Sequence, residues 1–121
     1  MQLYTVFDDN FLEMAQSFVN SERFFSSVPI CAHLPDTARA AVKYCKQNKI
    51  EHFTGNYPKR SAKQTSRLLK MGCANLHKEE EPIAYMDIDI VFQNDISQLE
   101  DLNPNYLWAL SQREGHQTTL R

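Results

Sequence analysis

Short apolar segments rich in β-forming residues alternate with segments whose apolar residues recur at helical spacing, and this alternation constrains the fold most strongly. The β-like segments span residues 3–7, 28–34, 50–53, 83–92 and 106–110. Helical segments follow Asn10, Pro35 and Ser61, and a short one covers residues 96–102. This β-α-β-α-β-α-β-α-β order predicts an α/β, Rossmann-like fold with a mostly parallel sheet covered by helices on both faces.

The segment at residues 83–92 has the strongest strand pattern in the chain. Its near-continuous apolar run is typical of a central strand that is covered on both faces, so we expect it at the centre of the sheet. Ligands of open parallel sheets bind at the carboxyl ends of the strands. The candidate site therefore lies among residues 7–9, the loop after Phe53 and the region of Asp87.

Size, charge and composition exclude several classes of function. The 121 residues suit one domain, assigned to residues 1–111, with a polar tail at 112–121. A net charge of −2 gives no indication of binding to nucleic acid or to an anionic membrane. No segment resembles a signal peptide or a membrane span. The chain has three glycines and lacks both G-x-G-x-x-G and G-x-x-x-x-G-K-[ST], which argues against Rossmann dinucleotide binding and P-loop chemistry.

The cysteines point to a cellular compartment. Cys31, Cys45 and Cys73 are odd in number and form no C-x-x-C motif. Reduced, buried thiols are therefore expected, and with them a location in the cytoplasm, or in the host cytoplasm if the chain is viral.

Two carboxylates, Asp87 and Asp89, interrupt the apolar run at residues 83–92. In an extended strand, side chains two positions apart point to the same face, so these two would repel each other unless a cation lies between or beside them or one of them is protonated. A divalent ion with oxygen ligands would remove the repulsion and could also bind phosphate. The alternative is a structural pair held by backbone N–H groups or by Lys and Arg, since D-x-D is common by chance.

The run A-Y-M-D-I-D-I-V-F at residues 84–92, followed by N-D-I-S-Q-L at 94–99, resembles the D-x-D signature of GT-A fold glycosyltransferases. The start, L-Y-T-V-F-D-D-N at residues 3–10, is similar to the first strand of that fold and its nucleotide-facing loop. The resemblance covers residues 1–111 in the order of elements, and it is specific around residues 87–99. It implies a glycosyltransferase that uses a UDP-sugar donor, such as UDP-glucose or UDP-galactose, with Mn²⁺ or Mg²⁺.

The resemblance also implies roles for individual residues. Asp89 would ligate the metal that bridges the two phosphates, and Asp87 would contact ribose or sugar hydroxyls and also the metal. Nucleoside contacts would come from Thr5, Phe7 and Asp8, with Phe7 near the base. Lys70 or Arg67 would face the diphosphate. On the residues alone, Lys63, Arg67 and Lys70 could equally be the solvated side of an amphipathic helix.

The chain departs from the family in length. It lacks the second half that holds the acceptor site and the catalytic base, so it looks like a minimal GT-A domain of the reduced kind found in viruses. His116 is the only histidine after the D-x-D and a weak candidate ligand.

The activity would be glycosyl transfer or UDP-sugar hydrolysis. Two other readings stay open: a non-catalytic binding or assembly module, and a metal-dependent phosphatase or phosphotransferase with Asp87 as nucleophile.

The missing half also bears on assembly. A chain that ends soon after its last predicted strand leaves that strand's edge without cover, and an uncovered edge can pair with another chain. We therefore expect a homodimer or larger homo-oligomer.

Overall fold

The computed structural model describes residues 1–76, 81–102, 110–111 and 119–120. The described strands are β1 (Gln2–Val6), β2 (Ile30–Pro35), β3 (Glu51–Gly55), β4 (Ile83–Tyr85), β5 (Leu110–Ser111) and β6 (Thr119–Leu120). The α-helices of these ranges are α1 (Leu12–Phe25), α2 (Arg39–Gln47) and α3 (Ala62–Leu76), with 3-10 turns at Asp9–Phe11 and Ser97–Asp101. Within these ranges, every helix is too short or too polar to cross a membrane.

The first four strands form a parallel sheet in the order β3-β2-β1-β4. One α-helix lies between each pair of consecutive strands in the sequence, so α1, α2 and α3 are the crossover connections. The predicted α/β class with a Rossmann-like parallel sheet is therefore confirmed. β5 and β6 form a separate antiparallel pair.

Side chains alternate along β1 and divide the interior between the two faces of the sheet. Leu3 and Phe7 belong to the larger core cluster. Tyr4 and Val6 belong to the other, where they meet Leu69 of α3. Helix residues of the larger cluster come from α1 and α2: Ala15, Phe18, Val19, Ala41, Tyr44 and Cys45. Helices thus cover both faces of the sheet, as predicted.

The prediction for residues 83–92 is wrong in two respects. β4 covers only Ile83–Tyr85, and it is an edge strand of the four-stranded sheet, next to β1. Ile83 and Tyr85 are each 38% exposed, whereas a central strand would be buried. The last ladder hydrogen bond runs from the Met86 N–H to the Tyr4 carbonyl, at 3.1 Å. The chain then turns at residues 88–89 and leaves the sheet.

The apolar residues after β4 pack against a helix instead of continuing the sheet. The Phe92 N–H donates to the Ser21 hydroxyl of α1 at 2.9 Å, and the rings of Phe92 and Phe18 meet edge to face with centroids 5.0 Å apart. Val91 is 60% exposed. The apolar run therefore reflects a segment that contacts α1 with some of its side chains, and periodicity alone does not separate this case from a buried strand.

The remaining outcomes concern the chain end and the thiols. Residues 106–109, including Trp108, and His116 lie outside the described residues, while Leu110 of the predicted last strand begins β5. Cys31, Cys45 and Cys73 are free and buried, as expected. Burial raises the pKa of the Cys31 thiol to about 12 and that of Cys45 and Cys73 to about 11, so the thiols are protonated at neutral pH.

Candidate functional site

A cleft of about 610 Å³ opens at the carboxyl edge of the parallel sheet. Its walls come from the end of β1, the residues around the start of α1, the side of α3 that carries Lys63, Arg67 and Lys70, and the segment after β4. The predicted site residues that line it are Phe7, Asp8, Arg67, Lys70, Asp87 and Asp89. The structure therefore brings together six of the seven predicted site residues, and only Thr5 stands apart from the cleft wall.

Thr5 lies beneath the site. It is fully buried in β1, and its hydroxyl donates to the Met86 carbonyl at 2.9 Å. Because Met86 directly precedes Asp87, this hydrogen bond fixes the point at which the chain leaves the sheet. Thr5 therefore positions the turn that carries Asp87 and Asp89, and it cannot contact a ligand directly.

The two aspartates after β1 are engaged in building the fold. Asp8 accepts a hydrogen bond from the Asn10 N–H at 2.9 Å, which begins the 3-10 turn before α1. Asp9 accepts one from the Ala41 N–H in the first turn of α2, at 2.8 Å. Unpaired N–H groups at helix starts are commonly satisfied in this way. Asp8 still lines the cleft, but one of its oxygens is already occupied.

Asp87 is held by two donors on the same oxygen. The Lys70 ammonium lies 3.0 Å from Asp87 Oδ1, and the Tyr85 hydroxyl donates to the same atom at 3.1 Å. The ammonium also lies 5.8 Å from the centroid of the Tyr85 ring. Burial, and after it the charge of Asp87, raise the pKa of the Tyr85 phenol, so the hydroxyl keeps the proton that it donates. Asp87 is nevertheless accessible, with 59% of its side chain exposed.

Asp89 lines the same cleft and is exposed. Among the described residues, no hydrogen bond or ion pair involves its carboxylate. The expectation that both acids project from one extended, buried strand is wrong, because both lie beyond β4, and Asp89 itself lies in the turn. The turn still places both side chains on the cleft wall, and exposure removes the burial cost that the strand would have imposed.

The charged stripe on α3 faces the cleft. Lys63, Ser66, Arg67 and Lys70 recur at helical spacing and all line it. The cleft thus carries three cations on a helix and two carboxylates on the segment after β4, and the two groups meet where Lys70 contacts Asp87. The stripe is solvent-exposed, as expected for the polar side of an amphipathic helix, and it also lines the cleft, so the two interpretations of the stripe are compatible.

Sequence reasoning missed the aromatic and apolar rim. Phe7 is only 4% exposed and belongs to the core, so its ring offers little surface to a ligand. Phe11, the last residue of the 3-10 turn, and Met14, in the first turn of α1, line the cleft and are 48% and 46% exposed. Both recur at helical spacing with the buried residues of α1, so their spacing alone does not distinguish them from the core. The available signal was their place just after the carboxyl end of β1, where a helix start faces the ligand edge of the sheet.

The donor set suits a hard divalent ion only in part. In the described ranges, no group of three or more His, Cys, Asp or Glu side chains is arranged to hold a metal ion. Asp87 and Asp89 offer carboxylate oxygens, which Mg²⁺ and Mn²⁺ prefer. Such ions commonly bind through one or two carboxylates, with water and substrate phosphates completing the shell. The two residues therefore fit a metal that is shared with a phosphate ligand.

A second cleft of about 380 Å³ adjoins the first and shares Asp8, Pro35 and Ala62 with it. It follows the carboxyl ends of β2 and β3 and includes the loop residues Asn56 and Arg60. Together the two clefts extend along the ligand edge of the sheet.

No protein family, curated protein or solved structure matches the chain.

Proposed function

We propose that this protein binds a nucleotide-diphosphate sugar together with a divalent metal ion, and that it transfers or hydrolyses the sugar as a minimal GT-A-type glycosyltransferase. The observation that carries the proposal is the convergence of Asp87, Asp89, Lys70 and Arg67 on one cleft at the carboxyl edge of a parallel sheet. The resemblance at residues 84–99 supports the same reading.

The charges of the cleft suit a diphosphate with a metal ion. Asp87 and Asp89 would hold Mn²⁺ or Mg²⁺, with phosphate oxygens and water as the other ligands. Lys70 and Arg67 on α3 face the same space and would neutralise the phosphate oxygens that the metal does not reach. A ligand with a dense negative charge thus meets cations from both walls.

The size and the apolar part of the cleft suit the rest of such a ligand. A volume of about 610 Å³ lies within the range of small-molecule sites. Phe11 and Met14 give the rim an exposed apolar surface on which a planar base could rest. Phe11 therefore replaces Phe7 as the residue proposed to contact the base.

The chemistry follows from charge development on the leaving group. When bound, the metal would act as a Lewis acid that stabilises the departing nucleoside diphosphate. Lys70 and Arg67 would hold the diphosphate in place and offset its growing negative charge. Water in place of a sugar acceptor would make the reaction a hydrolysis of the donor.

Titration calorimetry of the protein with UDP-glucose, in the presence and absence of Mn²⁺, tests this function directly. We expect binding that requires Mn²⁺, and slow release of free UDP detected after incubation. Binding without release of UDP would favour the non-catalytic module, and release of inorganic phosphate from phosphate esters would favour the phosphatase. Absence of binding with every nucleotide sugar and either metal would contradict the proposal.

We also propose that the protein forms a homodimer or a larger homo-oligomer. Among the described strands, β4 is an edge strand, and its first and last residues, Ile83 and Tyr85, are partly exposed. Such an edge can pair with a second copy of the chain. Light scattering at micromolar concentration checks this assembly: a monomer of 14.1 kDa would contradict it.

A further inference from the structure

The contact between Lys70 and Asp87 places a cation where the proposed metal would bind. The Lys70 ammonium is 3.0 Å from Asp87 Oδ1, within the distance of a charged hydrogen bond. The pair is exposed, with 40% of the Lys70 side chain and 59% of the Asp87 side chain accessible. Exposed ion pairs are weak, so this contact can be exchanged for another at little cost.

We infer that Lys70 competes with the metal ion for Asp87, and that a diphosphate ligand resolves this competition by taking the ammonium for itself. This inference rests on the proposed function and adds to it an order of events: the metal binds well only together with the diphosphate. Lys70 then couples the two ligands, in addition to contacting one of them.

The physical reason is charge repulsion at short range. A divalent ion on Asp87 would lie within a few ångströms of the Lys70 ammonium, and the two cations would repel each other even in a partly aqueous cleft. The lysine stem is long and flexible, so the ammonium can move away if a better anion is near. A diphosphate supplies that anion on the same side of the cleft, because Lys70 and Arg67 both line it.

Tyr85 keeps the Asp87 carboxylate oriented while the Lys70 ammonium moves from it to the diphosphate. Its hydroxyl donates to the same carboxylate oxygen as Lys70, at 3.1 Å. When the ammonium moves, this hydrogen bond still orients the carboxylate. Coupling between two ligands is reciprocal, so the diphosphate should raise the affinity for metal by the same factor as the metal raises the affinity for diphosphate.

The test is the substitution Lys70→Met, which keeps most of the stem and removes the charge. Binding of Mn²⁺ alone, followed by the electron paramagnetic resonance signal of the free ion, should become about threefold to tenfold tighter. Binding of UDP in excess Mn²⁺, followed by calorimetry, should become roughly tenfold weaker, because a charged contact to phosphate is lost. Changes of opposite sign in one variant separate this inference from simple damage to the site, which would weaken both.

Two further variants serve as controls. Lys70→Arg keeps the positive charge, so it should not reproduce the tighter binding of Mn²⁺ alone that is expected of Lys70→Met. Lys43→Met removes an exposed lysine of α2 that does not line the cleft and should change neither affinity. Matching thermal unfolding curves establish that each variant is folded.

The inference and the proposed function can fail separately. If Lys70→Met binds Mn²⁺ alone no more tightly than the unmodified protein and Lys43→Met do, the competition is refuted, even where UDP-glucose still binds with Mn²⁺. If Lys70→Met gains Mn²⁺ affinity but no nucleotide or nucleotide sugar binds to any form, the competition stands and the proposed function is refuted. If no form binds Mn²⁺, with or without nucleotide, both are refuted.

Discussion

Residues 3–9 and residues 83–89 are both apolar runs that end in aspartates. Each run begins in a strand, β1 or β4, and the two strands are neighbours in one sheet. β1, from the first run, lies between β2 and β4 and is buried on both faces. β4, from the second, has a partner in the sheet on one side among the described strands, and it ends after three residues. An apolar run thus becomes a central strand only where partners on both sides and helices on both faces supply the contacts.

The same difference decides what the aspartates do. Asp8 and Asp9 follow the central strand, and each accepts a hydrogen bond from a backbone N–H near a helix start. Asp87 and Asp89 follow the edge strand, and the partners of Asp87 are the side chains of Lys70 and Tyr85. The first pair is used to build the fold, while the second is left accessible to a ligand.

The largest expected effect on stability comes from truncating one large apolar residue in each of the two strands. Leu3 is fully buried in β1, so Leu3→Ala should lower the free energy of unfolding by about 2–5 kcal/mol. Ile83 is 38% exposed in β4, so Ile83→Ala should cost less than roughly 1 kcal/mol, in line with its smaller buried surface. Urea denaturation measures both. Equal losses would mean that β4 is as well packed as β1.

A smaller effect is expected where the two regions are joined. Thr5→Val keeps the shape of the side chain but removes the hydrogen bond from Thr5 to the Met86 carbonyl, at a cost of about 1 kcal/mol. Because that bond precedes Asp87, the affinity for UDP with Mn²⁺ should fall as well. Thr5→Ser keeps a hydroxyl and should restore the affinity. If Thr5→Val loses stability but binds UDP normally, the bond does not position the turn.

Glu22 of α1 is a buried carboxyl group, and its protonation is linked to the stability of the fold. This glutamate is 1% exposed, and one of its oxygens has no hydrogen-bond partner in the described part of the chain. Burial is the largest influence on the pKa of Glu22 and raises it. The charge of Arg23 and a hydrogen bond with Ser26 lower the pKa, and the charge of Asp95 raises it.

The sign of the pH dependence follows from that direction. The folded state favours neutral Glu22, so its contribution to stability is fully present below the unfolded pKa of 4.5 and is lost as the pH rises through the folded pKa. Each unit of difference corresponds to about 1.4 kcal/mol. Glu22→Gln should therefore be more stable than the unmodified protein at pH 7, with little difference near pH 4. Calorimetric unfolding at the two pH values checks this, and a variant that is less stable at pH 7 would contradict it.

The smallest effect on stability is expected at the rim of the cleft. Phe11 is 48% exposed, so Phe11→Ala should change the unfolding free energy by less than about 1 kcal/mol. The affinity of the Phe11→Ala variant for UDP should nevertheless fall about tenfold, because the proposed stacking of the base on the Phe11 ring is lost. Its affinity for inorganic pyrophosphate, which has no base, should stay unchanged. Phe24→Ala, at an 81% exposed position outside the cleft, is the control. An equal loss for UDP and pyrophosphate would remove Phe11 from the base contact.

The fold could be predicted because alternation of strand and helix patterns is a local property of the sequence. Helices on both faces follow from apolar side chains on both sides of β1 and β2, such as Leu3 and Tyr4. The order of the strands could not be derived in the same way, since it depends on which neighbours compete for each edge. The run at residues 83–92 was therefore assigned to the centre although its strand lies at the edge.

The position of Asp87 and Asp89 at the edge of the sheet was predicted better than the strand that precedes them. Asp87 and Asp89 lie on the cleft wall although the extended geometry used to place them is wrong, because a turn beyond β4 also directs them there. The contact between Lys70 and Asp87 bridges 17 positions of the chain and depends on how α3 packs. The exposure of Phe11 depends on how the 3-10 turn before α1 sits on the rest of the fold. Neither leaves a pattern in the sequence.

Asp89→Ala is the sharpest test of the proposal that Asp87 and Asp89 hold a metal ion together with a diphosphate. Asp89 is exposed and has no partner among the described residues, so the variant should unfold at the same temperature as the unmodified protein. Its Mn²⁺-dependent binding of UDP-glucose, measured by titration calorimetry, should be abolished. Asp101→Ala, which removes an exposed aspartate outside the cleft, should bind normally. If Asp89→Ala keeps the affinity of the unmodified protein for Mn²⁺ and UDP-glucose, Asp89 does not hold a metal ion.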